Sequence, residues 1–329
     1  MALKHRFIHA IETMWWTSER PPCYWRMWEP VYQKISILEQ KKRLKKSIEP
    51  PIPMISIGNI TVGGSGKTPF VIWLAKALKQ HGYAPVIVCR GDGGRQSKAK
   101  LLQPDSLAND VGDEAVLLYR MSGCPVISAR NRVEASDIAA QHGDVMVLDD
   151  GFQYRQLQRV CDVVLIPDVG VGNGCVLPAG PLREPIFNLN RADVVVRVGQ
   201  GDSLPLTDHK EWHWHTLEVE LKDWVMCGQE MPKMVHAVTA IARPERFVQS
   251  LIHAGFEVCG ESFFPDHYAF DAMDVQSLLA LPYPIAVTAK DAVKLEALWH
   301  QDTPLWVLEQ ETIGEDGLFE AIQCKLSPL

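Results

Sequence analysis

The amino-acid sequence predicts an α/β fold, doubly wound around a mostly parallel sheet, with a second, smaller α/β domain reached through a strand-containing linker. The prediction rests on three features. Short apolar runs rich in β-branched residues alternate with amphipathic stretches of helical length, the order expected of parallel strands joined by crossover helices. A glycine-rich loop stands between the first such run and the first such helix. Beyond residue 201 apolar residues fall at every second position, and after residue 233 strands and helices alternate again.

In chain order, strands are expected at 54–57, 85–89, 125–128, 145–148, 163–166 and 194–198. Helices at 69–80, 113–121 and 132–141 end at or near Gly82, Gly123 and Gly143, residues suited to a helix C-terminus. Trp212, Trp214, Leu217, Val219 and Leu221 mark the linker strand, with a change of face between 214 and 217. The smaller domain then reads strand 235–239, helix 244–253, strand 256–263, helix 273–279, strand 285–288, helix 291–299 and strand 305–308. The divisions that follow are an N-terminal segment 1–50, a core 51–200, a linker 201–233 and a C-terminal domain 234–329.

Composition bounds the function. At 329 residues and 47% hydrophobic content the chain has the make-up of an ordinary soluble globular protein with room for two domains. Its eight cysteines are scattered with no C-x-x-C pair, which argues against a zinc site or disulfide framework and fits a reducing compartment. Charge is uneven: residues 1–49 hold ten Lys or Arg against five Glu, a net +5 in a chain of net −7, so the remainder carries −12. The same segment contains Trp15, Trp16, Trp25 and Trp28 and the basic run Lys41-Lys42-Arg43-Leu44-Lys45-Lys46. Tryptophan with basic charge suits an anionic membrane surface, though an N-terminal helix packing its aromatics on the domain has the same pattern. No stretch approaches the roughly 20 apolar residues that span a bilayer, and no signal peptide is visible. The acidic remainder disfavours a nucleic-acid partner.

The loop Thr61-Val62-Gly63-Gly64-Ser65-Gly66-Lys67-Thr68 lies where a phosphate-binding loop must lie, between a strand and a helix N-terminus. Its glycines let backbone N–H groups turn toward an anion, Lys67 is placed to reach β and γ phosphates, and the Thr68 hydroxyl to sit on magnesium. Thr61 stands where the strict pattern has its first glycine. A second apolar run, 145–148, ends in Asp149 and Asp150, carboxylates that in such a fold fall beside Thr68 and serve magnesium. Taken alone, Asp-Asp before a glycine turn is commonplace. Gly112-Asp113-Glu114 opens a helix, where an acidic pair complements the dipole or else supplies a base and a metal-facing carboxylate. Phe264-Pro265-Asp266-His267-Tyr268 sets a histidine in a polar turn, a capping residue or a partner for an aspartate of the other domain. His213 and His215 read as linker-strand side chains.

Taken together these motifs resemble the tetraacyldisaccharide 4′-kinase family of lipid A synthesis. The resemblance is carried by Gly58-Asn59 with the 61–68 loop, Arg90-Gly91 with Gly93-Gly94-Arg95, Val111 to Glu114, and Leu148 to Gln153. It continues through Gly172-Asn173-Gly174, Leu177 to Pro185, Pro244 to Phe247, Pro265-Asp266-His267 and Lys290 to Leu295. These motifs run in the expected order over residues 50–295. The resemblance implies a P-loop NTPase core, ATP and Mg2+ as cofactors, and a membrane-embedded glycolipid substrate. Asp113 becomes the base for the sugar hydroxyl, His267 its orienting partner and Lys67 the stabiliser of transferring charge. Thr68, Glu114, Asp149 and Asp150 would serve the metal, and Asn173 and Arg183 the lipid head group. A monomeric, peripheral protein on the cytoplasmic face of the inner membrane is expected. Asp92 stands where the family commonly has tyrosine, Ala115 where it has proline and Ala289 where it has glutamate. A nucleotide-dependent switch or metallochaperone is the competing class. The loop, however, holds no lysine besides Lys67 and no Cys/His cluster accompanies it.

Overall fold

The computed structural model describes residues 11–17, 20–199, 206, 210–241, 244–265, 268–300 and 302–326, without the side chains of residues 217 and 218. Besides shorter helical turns, the first half of the chain forms α1 (Glu29–Leu44), β1 (Met54–Asn59), α2 (Lys67–Gln80), β2 (Pro85–Cys89), β3 (Lys100–Leu101), α3 (Asp113–Ser122), β4 (Val126–Ser128) and α4 (Arg132–Ala139). It continues with β5 (Val145–Asp149), β6 (Cys161–Ile166), β7 (Val194–Val198), β8 (Glu211–Asp223), β9 (Met234–Thr239) and α5 (Pro244–His253). Last come β10 (Glu257–Phe263), α6 (Ala272–Leu279), β11 (Ile285–Thr288), α7 (Ala289–Leu295), β12 (Trp306–Gly314) and α8 (Leu318–Gln323).

The residues form two compact units that interleave along the chain. One is drawn from Met1–Arg90, Asn131–His215 and Gly314–Leu329, the other from Gly91–Arg130 and Thr216–Ile313. The expected divisions at 50, 200 and 233 follow chain order instead. A period in the sequence marks each strand without saying which strand becomes its neighbour, so it does not register a chain that leaves a unit and returns.

In the first unit β2, β5, β1, β6 and β7 lie side by side in that order, all parallel, and residues 211–214 of β8 run parallel to β7. β1, β2, β5 and β6 are buried along their whole length, as strands covered on both faces must be. α2 explains part of that cover. Phe70, Val71, Leu74, Ala75 and Leu78 recur at three- and four-residue spacing and form its buried face. Because β1 pairs directly with β5, in register Ile57 with Asp149, the loop after one strand and the carboxylates ending the other emerge at the same edge.

In the second unit β10, β9, β11 and β12 form a parallel set in that order, and β3 pairs antiparallel with β4. Its core gathers Leu117, Val238, Val275, Leu278, Val287, Val293 and Val307. Three details depart from the sequence expectation. The helix expected at 291–299 starts at Ala289 and tightens into a 3₁₀ turn at Glu296–Leu298. The last strand runs to Gly314 because its second half, beginning Glu309-Gln310-Glu311, is polar and largely exposed and so continues a strand without continuing an apolar run. β3, only two residues long, has no period to read.

Asp291 organises the second unit's interior. It is fully buried, accepts from the Thr239 hydroxyl at 2.7 Å, the Ala240 N–H at 3.1 Å and the Thr288 hydroxyl at 2.8 Å, and pairs with Lys294 at 3.0 Å. It thereby ties the ends of β9 and β11 to α7. Asp291→Ala strands these donors and the lysine charge, and is expected to cost about 3 kcal/mol in urea unfolding.

Candidate active site

The phosphate loop follows from two glycines that no other residue replaces. Gly58, near the end of β1, lies so close to Phe152 that a Cβ would stand 2.4 Å from the phenylalanine Cβ. Gly66 caps α2 with φ +74°, a left-handed conformation costly for residues with a Cβ. Between them, no heavy atom other than those of the adjoining residues lies within 4 Å of the Cβ positions of Gly63 and Gly64. The hydroxyls of Thr61 and Ser65 are buried with no hydrogen-bond partner among the described residues. An open glycine cradle, hydroxyls without acceptors among the described residues and the N-terminus of a fourteen-residue helix are the features a polyphosphate site requires. This arrangement fits the nucleotide expected from the sequence. The loop's second wall is aromatic, since Trp214 of β8 lies against Gly66 and meets Phe70 edge-on at 5.5 Å.

Asp150 closes the site. It follows β5 in a left-handed conformation, φ +52°, and its carboxylate lies 3.5 Å from the Lys67 ammonium and 3.0 and 3.2 Å from the Arg183 guanidinium. Burial disfavours its charge, but the fields of Lys67, Arg183 and Arg132 outweigh that penalty and hold the carboxyl below the ordinary aspartate range. Asp149, the last residue of β5, is buried. Thr68 follows Lys67 in the first turn of α2. The oxygen donors of Thr68, Asp149 and Asp150 are hard ligands of the kind magnesium prefers.

Arg183 reaches this place through backbone pairing far apart in sequence. Val62 N–H donates to the Pro181 carbonyl at 2.8 Å and Arg183 N–H to the Ile60 carbonyl at 2.7 Å, zipping residues 60–62 to 181–183. The neighbouring Glu184 is almost completely buried. It accepts from Arg191 at 2.6 and 2.8 Å, from Gln153 at 2.9 Å and from Asn188 at 2.8 Å. Burial raises its pKa, and this set of donors more than reverses the effect, leaving it below the usual glutamate range.

Lys67, Thr68, Asp149, Asp150 and Arg183 all belong to the first unit. Asn173 belongs there too, but its amide is occupied internally. Nδ2 donates to the Met14 carbonyl at 3.1 Å and the Ala179 carbonyl at 3.0 Å, and Oδ1 accepts from Cys175 N–H at 3.0 Å. Asp113 and Glu114 open α3 in the second unit, after Gly112 at φ +96°. Asp113 is buried, and its Oδ1 accepts the Glu114 N–H at 2.9 Å. Asp92, the departure beside the glycines, is exposed. Asp266 and His267 lie outside the described residues.

Two functional candidates were not singled out from the sequence. Arg132 is buried at the start of α4 over the Tyr154 ring, 4.9 Å from its centre; burial lowers its pKa below the ordinary arginine range, and the Asp150 charge opposes that shift only in part. Gln153 links Asn59, Glu184 and Arg183. Neither is flagged by a spacing rule, although Gln153 stands in the Asp-Asp-Gly-Phe-Gln run.

Glu184→Gln gives a pH test of this wiring. A carboxylate with a depressed folded-state pKa contributes stability above the ordinary carboxylate range and loses it as pH falls through the depressed value. Near neutral pH the variant, which leaves Arg191 unpaired, is expected to be less stable by about 3 kcal/mol. In thermal melts that gap should narrow as the pH is lowered toward about 3.

Comparison with known proteins supplies the family. Residues 28–327 match the family model of tetraacyldisaccharide-1-P 4′-kinase. A tetraacyldisaccharide 4′-kinase of Shewanella sediminis is 39% identical over 257 residues, spanning 76% of this chain and 74% of that protein. Another, of Dechloromonas aromatica, is 34% identical over 96% of this chain and 97% of its own length. A crystal structure of LpxK from Aquifex aeolicus in complex with ATP is similar in fold, with a TM-score of 0.75 at 24% identity over 93% of this chain and 99% of that one. The chain belongs to the tetraacyldisaccharide 4′-kinase family.

Proposed function

We propose that this protein transfers the γ-phosphoryl group of ATP to the 4′ hydroxyl of a tetraacyldisaccharide 1-phosphate, giving the bisphosphorylated lipid A precursor lipid IVA. The observation that carries this reading is a phosphate loop whose lysine meets the carboxylate after β5, in a chain of this kinase family. When bound, ATP supplies the phosphoryl group and magnesium would neutralise its charge, held by Thr68, Asp149 and Asp150. The chain's own groups do the rest. Backbone N–H groups of residues 63–68 orient the phosphates, and Lys67 gathers charge that develops on the transferring group. Asp113 accepts the proton of the attacking hydroxyl, with His267 orienting it. Arg183 steadies Asp150 and stands ready for the anionic head group, while Asn173 shapes the loop that carries Arg183.

The N-terminal helix suits a substrate whose acyl chains stay in a bilayer. On α1, Val31, Ile35 and Leu38 fall on one stripe and are exposed, continued by exposed Trp28 before it and flanked by Lys34, Lys42 and Lys45. An exposed apolar stripe edged with lysine is the composition of a helix lying at an anionic membrane surface. Among the described residues no helix is long and apolar enough to cross a membrane. We assign membrane contact to this stripe, and place it on the inner membrane's cytoplasmic face as part of the same proposal.

Phosphate transfer from γ-labelled ATP to detergent-dispersed tetraacyldisaccharide 1-phosphate tests the reaction. The native chain is expected to label the lipid, and Asp113→Ala to lower kcat by about a hundredfold or more. ATP hydrolysis without labelled lipid would instead favour the nucleotide-switch class. Replacing Ile35 and Leu38 together by Asp is expected to weaken sedimentation with anionic vesicles by about tenfold or more.

A further inference from the structure

α1 has a second face with different chemistry. Glu29, Tyr32, Ser36, Gln40 and Arg43 follow one another at three- and four-residue steps and are half-buried, whereas the stripe of Val31, Ile35 and Leu38 is exposed. Two side chains of the docked face make long-range hydrogen bonds. Gln40 Nε2 donates to Glu184 at 3.4 Å, and Arg43 donates to the backbone carbonyl of Gln153 at 3.2 Å. The Arg43 guanidinium also stands 5.8 Å from the centre of the Tyr154 ring.

Those contacts fall on residues that brace the catalytic charge. Gln153 Nε2 donates to the Asn59 carbonyl at 2.8 Å, at the end of β1, and its Oε1 accepts from Arg183 at 3.4 Å. Arg183 in turn holds Asp150. The Tyr154 ring has a second cationic neighbour in Arg132, whose charge acts on Asp150. Two routes therefore run from Arg43 to Asp150, one through Gln153 and Arg183, the other through Tyr154 and Arg132. Both stay within the first unit.

We propose that Arg43 is a positioning residue for phosphoryl transfer, setting Arg183 and Arg132 against Asp150 by holding residues 153 and 154. The helix that carries the lipid-facing stripe thereby also aligns the charges at the phosphate loop. The proposal rests on the kinase reading above. Arg43 touches neither nucleotide nor acceptor in this account, so its removal acts on the geometry of groups that do, and small displacements of such groups are expensive in rate.

The test is steady-state kinetics of the full chain as native, Arg43→Ala and Arg43→Lys, in detergent micelles containing tetraacyldisaccharide 1-phosphate at saturating ATP, with a melting temperature for each. Arg43→Ala is expected to lower kcat about fivefold or more while the lipid KM changes by less than about twofold. Arg43→Lys is expected to restore more than half the lost kcat, because an ammonium still donates to the Gln153 carbonyl and faces the Tyr154 ring. An unchanged kcat in Arg43→Ala overturns the proposal. If the melting temperature falls instead, Arg43 is merely structural; if the lipid KM rises, it is a surface cation for lipid phosphate. A loss that Arg43→Lys leaves in place overturns it as well. Failure of the kinase reading looks different: the native chain then labels no lipid.

Discussion

Between β5 and the rest of the first unit a single carboxylate faces cations that arrive from separate stretches of chain. Lys67 comes from the phosphate loop and Arg183 from a loop some 30 residues beyond Asp150, with Arg132 adding its field from the start of α4. Each cation alone would repel the others, and Asp150 alone would resist burial; together they satisfy one another. Much of the first unit's local design serves this meeting. The parallel pairing of β1 with β5 sets loop and carboxylate at one edge, the pairing of 60–62 with 181–183 delivers Arg183, and Glu184 with Gln153 locks that second loop from behind.

The arrangement also explains what the loop lacks on its own. Among the described residues the Thr61 and Ser65 hydroxyls have no hydrogen-bond partner and the space at Gly63 and Gly64 is open, so the loop keeps donors that the oxygens of an anion would satisfy. Lys67 is meanwhile held beside the loop by Asp150, an arrangement that would leave it preorganised for the phosphoryl role proposed for it. The second unit solves a parallel problem with a fully buried Asp291, whose Oδ2 accepts from two threonine hydroxyls and a backbone N–H and whose Oδ1 faces the Lys294 ammonium. Asp291 is committed to structure, whereas Asp150 is paired with groups that a phosphate would also attract.

The strand, loop and helix around residues 54–80 were legible because three signals agree there: β-branched apolar residues, glycines, and an apolar face at helical spacing. The end of β5 was legible for the same reason, since its carboxylates terminate an unbroken apolar run. Arg183 was legible only as part of a family motif, because its position depends on antiparallel pairing between two irregular loops rich in glycine and proline. Arg132 and Gln153 went unread because a buried arginine and a linking glutamine have no spacing of their own. Asn173 shows the converse: a glycine-flanked amide in sequence looks equally ready for a ligand or for its own loop, and its three hydrogen bonds go to the loop and to Met14. The interleaving of the units leaves no local mark, because a strand's period carries no record of which strand becomes its neighbour.

If Asp150 is the hub that holds Lys67 for an incoming phosphate, its charge should oppose free ATP and favour ATP carrying a divalent cation. Calorimetric titration of ATP, with and without magnesium, into the native chain and Asp150→Asn measures this directly. The variant is expected to bind metal-free ATP more tightly than the native chain and to lose most of the affinity gained on adding magnesium. Metal-free affinity that is unchanged or weaker, with the magnesium gain intact, would contradict that expectation.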